Sequence, residues 1–179
     1  MCTGRRSPAS TSTRRSTPTR SASVVTVVEA MDETCPTCGK DGYRNPALAV
    51  DAAALRMTDS GLELLLIRRG REPWKGSLAF PGGFVDEGED PEVAVLRELV
   101  EETGVIGHDP RLVTVRGDPE RDPRKHIVSI LYRVTIPDDA TPVAGDDAAA
   151  AEFHLLDDVD GDELAGDHGQ MLKELRNSL

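Results

Sequence analysis

The sequence has few cysteines and no long apolar segment. Its 179 residues include three cysteines, Cys2, Cys35 and Cys38, which are too few for a disulfide framework, so we expect a protein of the reducing cytoplasm. The longest apolar stretches, such as residues 62–67, have the length of a strand and fall short of the roughly 18 residues that a membrane-spanning helix needs. We therefore predict a cytoplasmic protein without a membrane partner.

Positive charge is scarce outside the N-terminal segment. The formal net charge is -11 at pH 7, and five arginines against Glu29 give residues 1–30 a charge of +4, which leaves -15 for residues 31–179. A domain with this charge repels the backbone of a nucleic acid, so a nucleic-acid partner is not expected. A phosphate substrate would need metal cations in order to approach the carboxylates of such a domain.

The N-terminal part of the chain differs in composition from the rest. Residues 1–30 are rich in Ser, Thr and Arg, which predicts a disordered basic tail, or a start codon assigned too early with Met31 as the first residue. An organellar transit peptide is a third interpretation of this composition. Within the lead-in of residues 31–45, Cys35 and Cys38 have the spacing of one knuckle of a zinc ribbon. A closed zinc site needs four ligands, so we expect no zinc there in a monomer.

Residues 46–179 are predicted to form one domain with a mixed sheet and two helices. Apolar and β-compatible segments predict strands at residues 47–55, 62–68, 78–80, 112–115, 127–136 and 150–155. The turn residues Asp59, Ser60 and Gly61 are expected to join the first two strands into a hairpin. Helical signals predict helices at residues 91–103 and 167–177.

The first predicted helix has clear boundary signals and a row of carboxylates. Asp90 is a suitable N-cap, Pro91 suits the first helical position, and Gly104 suits the left-handed residue that ends a helix. Four apolar residues share one arc at about 100° per residue: Val93, Leu96, Leu99 and Val100. Three glutamates share the opposite arc: Glu98, Glu101 and Glu102.

These three glutamates have two interpretations. They repel one another, and a Mg²⁺ or Mn²⁺ ion, which prefers oxygen ligands, would relieve the repulsion. On the carboxylates alone, an ordinary solvated acidic face of a helix is the more economical interpretation, because glutamate is a good helix former and the whole domain is acidic.

The residues around the glutamates favour the metal site. Fixed positions recur at a defined spacing over residues 83–105: Gly83, five residues, Glu89, seven residues, Arg97-Glu98-Leu99, one residue, Glu101-Glu102, one residue, Gly104-Val105. On these residues the sequence resembles the Nudix hydrolase superfamily, whose box has this spacing. The resemblance implies an α/β/α sandwich with a mixed β-sheet, in which the box forms a catalytic loop-helix-loop.

The same resemblance assigns roles to the matching residues. Glu98 and Glu102 look like metal ligands, and Glu101 looks like a further ligand or a base held behind them. Arg97 looks like the residue that orients a carboxylate. The implied ligand set for Mg²⁺ or Mn²⁺ is Gly82 through its carbonyl, Glu98, Glu101 and Glu102, with Glu89 as a further candidate. Such a set implies hydrolysis by water, without a covalent protein intermediate.

Segments that flank the box resemble Nudix enzymes that act on ADP-ribose. These are residues 73–76, residues 118–126, in which Lys125 stands where Gly is usual, and residues 164–168. Trp74 offers a ring on which a base can stack, and three residues offer donors or cations to a phosphate or ribose: Arg121, Arg124 and His126. Surface charge for the arginines and partial core burial for Trp74 are the alternatives.

We therefore expect metal-dependent hydrolysis of a nucleoside diphosphate derivative, with ADP-ribose, converted to AMP and ribose 5-phosphate, as the first choice. One alternative is a housecleaning pyrophosphohydrolase that acts on nucleoside triphosphates or other nucleotide sugars. Another is a non-catalytic Nudix domain that senses a nucleotide, although the intact box argues against it. The expected partner is a small-molecule nucleotide, and a homodimer is compatible with the sequence.

Overall fold

The computed structural model of the protein describes residues 45–145 and 148–179. The expectations for residues 1–30 and for the Cys35 and Cys38 pair lie outside the described residues. The described ranges contain the predicted domain of residues 46–179 apart from positions 146 and 147.

Seven strands of the described chain form one mixed sheet. Their bounds in chain order are β1 (Ala47–Thr58), β2 (Gly61–Arg69), β3 (Leu78–Ala79), β4 (Gly82–Phe84), β5 (His108–Arg116), β6 (Ile127–Thr135) and β7 (Ala148–Leu155). Five strands lie side by side in the order β3-β2-β1-β6-β5, while β4 pairs with β1 and β7 pairs with β2. Strands β1 and β6 run parallel, and the other pairs are antiparallel.

Two helices, α1 (Pro91–Thr103) and α2 (His168–Ser178), lie on opposite sides of this sheet. Successive side chains of a strand point to opposite faces. Accordingly Ala52 of β1 packs in one core cluster with Val95 of α1, and Ala53 packs in another with Met171 of α2. The central strand is therefore buried on both faces, and the predicted α/β/α sandwich with a mixed sheet is confirmed.

The boundaries of α1 follow the signals in the sequence. The Asp90 side chain accepts a hydrogen bond from the backbone N–H of Glu92 at 2.9 Å, Pro91 occupies the first turn, and Gly104 ends the helix with φ of 66°. A residue with a Cβ would be strained at that φ. The helix therefore spans the residues that its capping residues predict.

The buried face of α1 differs from the apolar arc of residues 93, 96, 99 and 100. The buried residues are Ala94, Val95, Leu99 and Thr103, whereas Val93 is 59% exposed and Val100 is 41% exposed. Viewed down the helix axis, Glu98 and Glu102 lie within the same arc as the buried residues. The helix thus turns two of its glutamates towards the sheet rather than away from it, and two valines face solvent instead.

Three elements were not predicted from the sequence. Strand β4 has only three residues, two of them glycines, which disfavour strands on their own, and it forms because it pairs with residues 49–51 of β1. Two short 3-10 helices, Leu156–Asp158 and Gly161–Glu163, connect β7 to α2. Within the described residues, no helix has the length and apolar character that crossing a membrane requires.

The cap of α1 provides a test of this fold. Replacing Asp90 by Ala removes the acceptor for the Glu92 N–H, and we expect the free energy of unfolding to fall by about 1 kcal/mol, as for other N-cap deletions. Urea denaturation measures this change. Glu87→Ala, an exposed carboxylate of the same loop, is the control and should change the free energy by less than about 0.5 kcal/mol. Equal effects of the two substitutions would contradict the capping role.

Candidate active site

A cavity of about 350 Å³ opens beside the N-terminal half of β1, between the two helical layers. Strands β1 and β4, helix α1, the loop of residues 118–126 and the start of α2 contribute to its walls. This volume falls in the range of small-molecule sites. The ionisable residues that line it include Asp51, Arg69, Glu98, Glu102, Arg121, Arg124, Asp167 and His168.

Glu98 and Glu102 enter the cavity from α1 and meet the backbone of β4. The N–H of Gly82 donates to Glu102 Oε2 at 2.9 Å. A Cβ at Gly83 would collide with the carboxylate of Glu98, and a Cβ at Gly82 would lie 2.9 Å from Asp51 Oδ1. A Cβ at Gly82 would also overlap the backbone carbonyl of Val50, so glycine allows β4 to lie this close to β1 and to Glu98.

Burial raises the pKa of both cavity glutamates. The pKa of Glu102 rises to about 7, chiefly because burial disfavours the charged form, and the charges of Glu98 and Asp51 add to the effect. Burial also raises the pKa of Glu98, although the hydrogen bond from Arg97 opposes this shift. The positive charge of Arg97 thus compensates the burial of Glu98 only in part, and a bound cation would favour the charged form of both carboxylates.

Arg97 connects the other box residues to one another. Its Nε and Nη2 donate to the two carboxylate oxygens of Glu89, each at 2.8 Å, and Nη2 also donates to the carbonyl of Phe84 at 3.1 Å. Its Nη1 donates to Glu98 at 2.8 Å and to Glu101 at 3.1 Å. The hydrogen bond from Arg97 lowers the pKa of Glu89 to about 2. One guanidinium therefore fixes the box loop against the helix.

This network separates the predicted ligands into two groups. Glu98, Glu102 and Gly82 line the cavity, whereas Glu89 and Glu101 are not among its lining residues. Glu89 is held by Arg97 in the loop, and the Glu101 side chain is 57% exposed. The structure therefore brings together two of the three predicted helix glutamates and places the third at the solvent side.

The cavity fits a hard divalent cation that keeps part of its water shell. Within residues 45–145 and 148–179, no three His, Cys, Asp or Glu side chains already converge as a ligand set. Magnesium, however, is commonly bound by one or two carboxylates together with waters and substrate phosphates. Glu98 and Glu102, whose pKa values are both raised by burial, form such a donor pair.

A polar cluster behind the glutamates was not predicted from the sequence. Asp51 of β1 is 8% exposed and accepts a short hydrogen bond from Ser129 of β6. His168 Nε2 lies 3.7 Å from Asp51 Oδ1, and burial lowers the pKa of His168. Asp51 is the one charged residue within the apolar part of its strand, and this signal could have identified it, because buried carboxylates need polar partners.

Three of the four residues predicted to bind substrate line the cavity. Trp74, Arg121 and Arg124 line the cavity, but His126 does not, and its exposed ring lies 3.2 Å from the carbonyl of Gly117. Arg121 pairs with Asp167, Nη2 to Oδ1, at 2.6 Å, and Arg124 pairs with Asp122, Nη2 to Oδ2, at 2.7 Å. Both predicted phosphate ligands therefore already have carboxylate partners.

Arg69 is a cavity arginine that sequence reasoning missed. Its Nε donates to the carbonyl of Pro73 at 2.9 Å, and its guanidinium lies 6.0 Å from the centre of the Trp74 ring. Among the described residues it makes no ion pair with a carboxylate. Its position at the end of β2 gives no sequence signal, because the loop that follows contains several arginines.

Comparison with known proteins gives consistent matches over this domain. The family described as "NUDIX domain" matches residues 47–175. An ADP-ribose pyrophosphatase of Methanocaldococcus jannaschii is 42% identical over 132 residues, which are 74% of this chain and 74% of that protein. The ADPR responsive transcriptional repressor NtrR of Acinetobacter baylyi is 32% identical over 137 residues, which cover 75% of this chain and 55% of the repressor.

The solved structures agree with the sequence matches. The NUDIX domain of Shewanella oneidensis NrtR, determined in complex with ADP ribose, superposes with a TM-score of 0.70 and 28% identity. The match covers 86% of this chain and 98% of that domain.

The role of Arg97 can be tested by stability alone. Arg97→Lys keeps the charge but loses the planar fork that reaches Glu89 and Phe84 together, and we expect the free energy of unfolding in metal-free buffer to fall by about 2 kcal/mol. The control is Arg111→Lys, which alters an exposed pair with Asp109 and should change it by less than about 0.5 kcal/mol. If the two variants are equally stable, Arg97 does not connect the loop to the helix.

Proposed function

This chain belongs to the Nudix family and is a Nudix hydrolase, and on that premise we propose that it hydrolyses ADP-ribose to AMP and ribose 5-phosphate with the help of a divalent metal ion. The observation that carries the proposal is the pair of half-buried carboxylates, Glu98 and Glu102, which faces a cavity that is also lined by Trp74. The ADP-ribose pyrophosphatase that is 42% identical supports this choice of substrate.

Glu98, Glu102 and the carbonyl of Gly82 are the groups we propose to hold Mg²⁺ or Mn²⁺. Arg97 restrains Glu98 through Oε1, and the Gly82 N–H restrains Glu102 through Oε2. Among the described residues the other oxygens, Glu98 Oε2 and Glu102 Oε1, accept no protein hydrogen bond, so they remain available to a cation. When bound, the metal supplies positive charge for the diphosphate and acidifies the water that attacks phosphorus.

The other walls of the cavity are proposed to bind the two ends of the substrate. The Trp74 ring offers a face for the adenine, and Arg69, which lies beside that ring, offers a cation for a phosphate. Arg121 and Arg124 are held by Asp167 and Asp122, so we propose that they contribute their remaining N–H donors rather than a net charge. The exposed position of His126 gives no support for a contact with substrate.

Glu89 and Glu101 are proposed to act through Arg97. Glu89 holds the guanidinium from the loop side, and Glu101 contacts the same guanidinium at the solvent side. Because Arg97 in turn donates to Glu98, these two carboxylates influence the orientation of one proposed metal ligand. Their removal should therefore have a smaller effect than the removal of a glutamate that faces the cavity.

A second candidate function is binding of ADP-ribose without turnover. The observation that favours it is the similarity to the repressor NtrR and to the ADP-ribose complex of NrtR. The chain spans about half of that repressor's length. Tight binding of ADP-ribose to the wild-type protein, with no AMP formed in the presence of either metal, would favour this second function.

The proposal is tested by a substrate panel with Glu102→Gln as the key variant. Wild type, incubated with Mg²⁺ or Mn²⁺, should release AMP and ribose 5-phosphate from ADP-ribose, and a chelator should abolish the reaction. Glu102→Gln removes one charge from the proposed metal site, and we expect kcat to fall by at least about 100-fold. Glu101→Gln, altered on the same helix but at the solvent side, should lose about 10-fold or less.

An exposed carboxylate outside the site serves as the control for this panel. Glu120→Gln should retain wild-type rates. Full activity of Glu102→Gln would overturn the metal-ligand assignment. Release of inorganic diphosphate from nucleoside triphosphates, with no AMP from ADP-ribose, would assign the chain to the alternative class of substrate.

Trp74 provides a separate test of base stacking. Trp74→Ala should raise the KM for ADP-ribose about 10-fold, with kcat within about threefold, because stacking of a base on an aromatic ring contributes about 1–3 kcal/mol. Trp74→Phe keeps a ring and should stay within about threefold of the wild-type KM. Thermal unfolding of both variants detects damage to the packing of the ring. An unchanged KM in Trp74→Ala would remove Trp74 from the substrate site.

A further inference from the structure

Two adjacent residues at the start of α2, Asp167 and His168, reach different walls of the cavity. Asp167 contacts the loop of residues 118–126, whereas His168 contacts the segment of residues 80–83 that leads into β4. We propose that this pair positions two walls of the active site. Asp167 fixes the substrate wall, which is the loop of residues 118–126, and His168 fixes the metal wall, which is the segment of residues 80–83 that lies against Glu98 and Glu102. The kinetic consequences of this inference rest on the proposed function, whereas the positioning contacts themselves rest on the geometry.

Asp167 holds the substrate wall through Arg121. Its Oδ2 and Oδ1 accept from Arg121 Nε at 3.0 Å and from Nη2 at 2.6 Å, and the Arg121 side chain is 8% exposed. Aspartate at an N-cap normally accepts a hydrogen bond from its own helix. Asp167 makes no such side-chain bond; its carboxylate is bound to Arg121 of the loop and also lies 3.5 Å from Arg116 Nε of β5. The contact therefore serves the cavity wall rather than the helix.

His168 holds the metal wall through the backbone of Phe80. The Phe80 N–H donates to His168 Nδ1 at 3.3 Å, and the two rings stack with their centres 5.4 Å apart. A ring nitrogen that accepts a hydrogen bond carries no proton, so the imidazole is the neutral tautomer with its proton on Nε2. That N–H points to the side of Asp51, at 3.7 Å from Oδ1, and Asp51 is fixed in turn by Ser129.

Residues 80–83 are connected by direct contacts to β1 and to the two glutamates. The carbonyl of Pro81 accepts from the N–H of Ala52 at 2.7 Å, and the N–H of Gly82 donates to Glu102 at 2.9 Å. Gly83 in turn lies directly against the carboxylate of Glu98. A shift of Phe80 would therefore be transmitted over two or three residues to the proposed metal ligands. Displacements of this size are costly, since a misplacement of about 1 Å can reduce a rate about 100-fold.

Two substitutions of His168 distinguish a role as a hydrogen-bond acceptor at Nδ1 from a role as a ring that only fills space. Asn at position 168 places an amide oxygen near the position of Nδ1, and Gln places its amide near the position of Nε2. Only the first can accept the Phe80 N–H. His168→Gln should therefore lower kcat about 10-fold to 100-fold with KM changed less than about threefold, and His168→Asn should restore most of kcat.

For a substitution of Asp167 we expect KM to change rather than kcat. Asp167→Asn keeps a residue that suits an N-cap but removes the charge that holds Arg121, so we expect KM for ADP-ribose to rise about 5-fold to 10-fold with kcat within about threefold. The matched controls are His108→Asn and Asp157→Asn, an exposed histidine and an exposed aspartate outside the cavity lining. Both should match wild type in kcat and KM.

Two measurements do not depend on turnover. Amide hydrogen exchange of Phe80 should accelerate in His168→Gln and remain slow in His168→Asn. Binding of Mn²⁺ alone, followed by the loss of its free-ion EPR signal, should weaken at least about threefold in His168→Gln and remain unchanged in Asp167→Asn. Equal kcat in His168→Gln and His168→Asn, or unchanged exchange at Phe80 in both, would overturn the proposal.

A failure of the proposed function would give a different set of results from a failure of this inference. Wild type would then form no AMP from ADP-ribose, yet the exchange and Mn²⁺ measurements would still decide whether His168 positions the metal wall. A fall in thermal stability that is equal in His168→Gln and His168→Asn, without differences in exchange or Mn²⁺ binding, would assign His168 to packing alone and overturn the inference.

Discussion

The hydrogen bonds of Arg97 are the constraint on which the rest of the site depends. Carboxylates at helical spacing repel one another, and burial adds a desolvation cost for those that face the sheet. The positive charge of Arg97 offsets these costs for Glu89, Glu98 and Glu101. Its hydrogen bond to the carbonyl of Phe84 connects the same guanidinium to the end of β4. Glu102 lies outside its reach, and among the described residues its carboxylate accepts a hydrogen bond from the Gly82 N–H alone. Arg97 thus neutralises Glu98 in part, and the proposed cation would add positive charge beside both glutamates.

The sheet explains why these groups meet at one place. Alternation along β1 sends Ala52 to one helical layer and Ala53 to the other, so the strand is apolar throughout its buried part except at Asp51. At that residue β4 pairs with β1, and the register sets Asp51 opposite Gly82. The close approach of the two backbones leaves no space for a side chain at Gly82. Glu98 and Glu102 of α1 lie near this point on one side of the sheet, and His168 of α2 lies near it on the other.

Local signals predicted local structure, and long-range contacts remained hidden. The limits of α1 and the hairpin between β1 and β2 follow from capping and turn residues, because those interactions span only a few positions. Periodicity identified an amphipathic helix but not which arc faces the sheet, and Val93 and Val100 of the apolar arc are exposed. Glu98 and Glu102 occupy the inner arc, where their side chains line the cavity rather than the apolar core. The pairing of Arg121 with Asp167 joins residues 46 positions apart, which no local pattern can indicate.

That pairing also changes how the cavity must bind an anion. Arg121 and Arg124 were expected to supply positive charge, but each is matched by an aspartate, so the substrate wall offers directed N–H donors with little net charge. Facing it are Asp51, Glu98 and Glu102, whose mutual repulsion raises the pKa of Glu102 beyond the effect of burial. A diphosphate brought between these walls would meet more negative than positive charge on the metal side. Under the proposed function, binding of a diphosphate would therefore need cations from solution, and the net charge of -15 over residues 31–179 adds to that need.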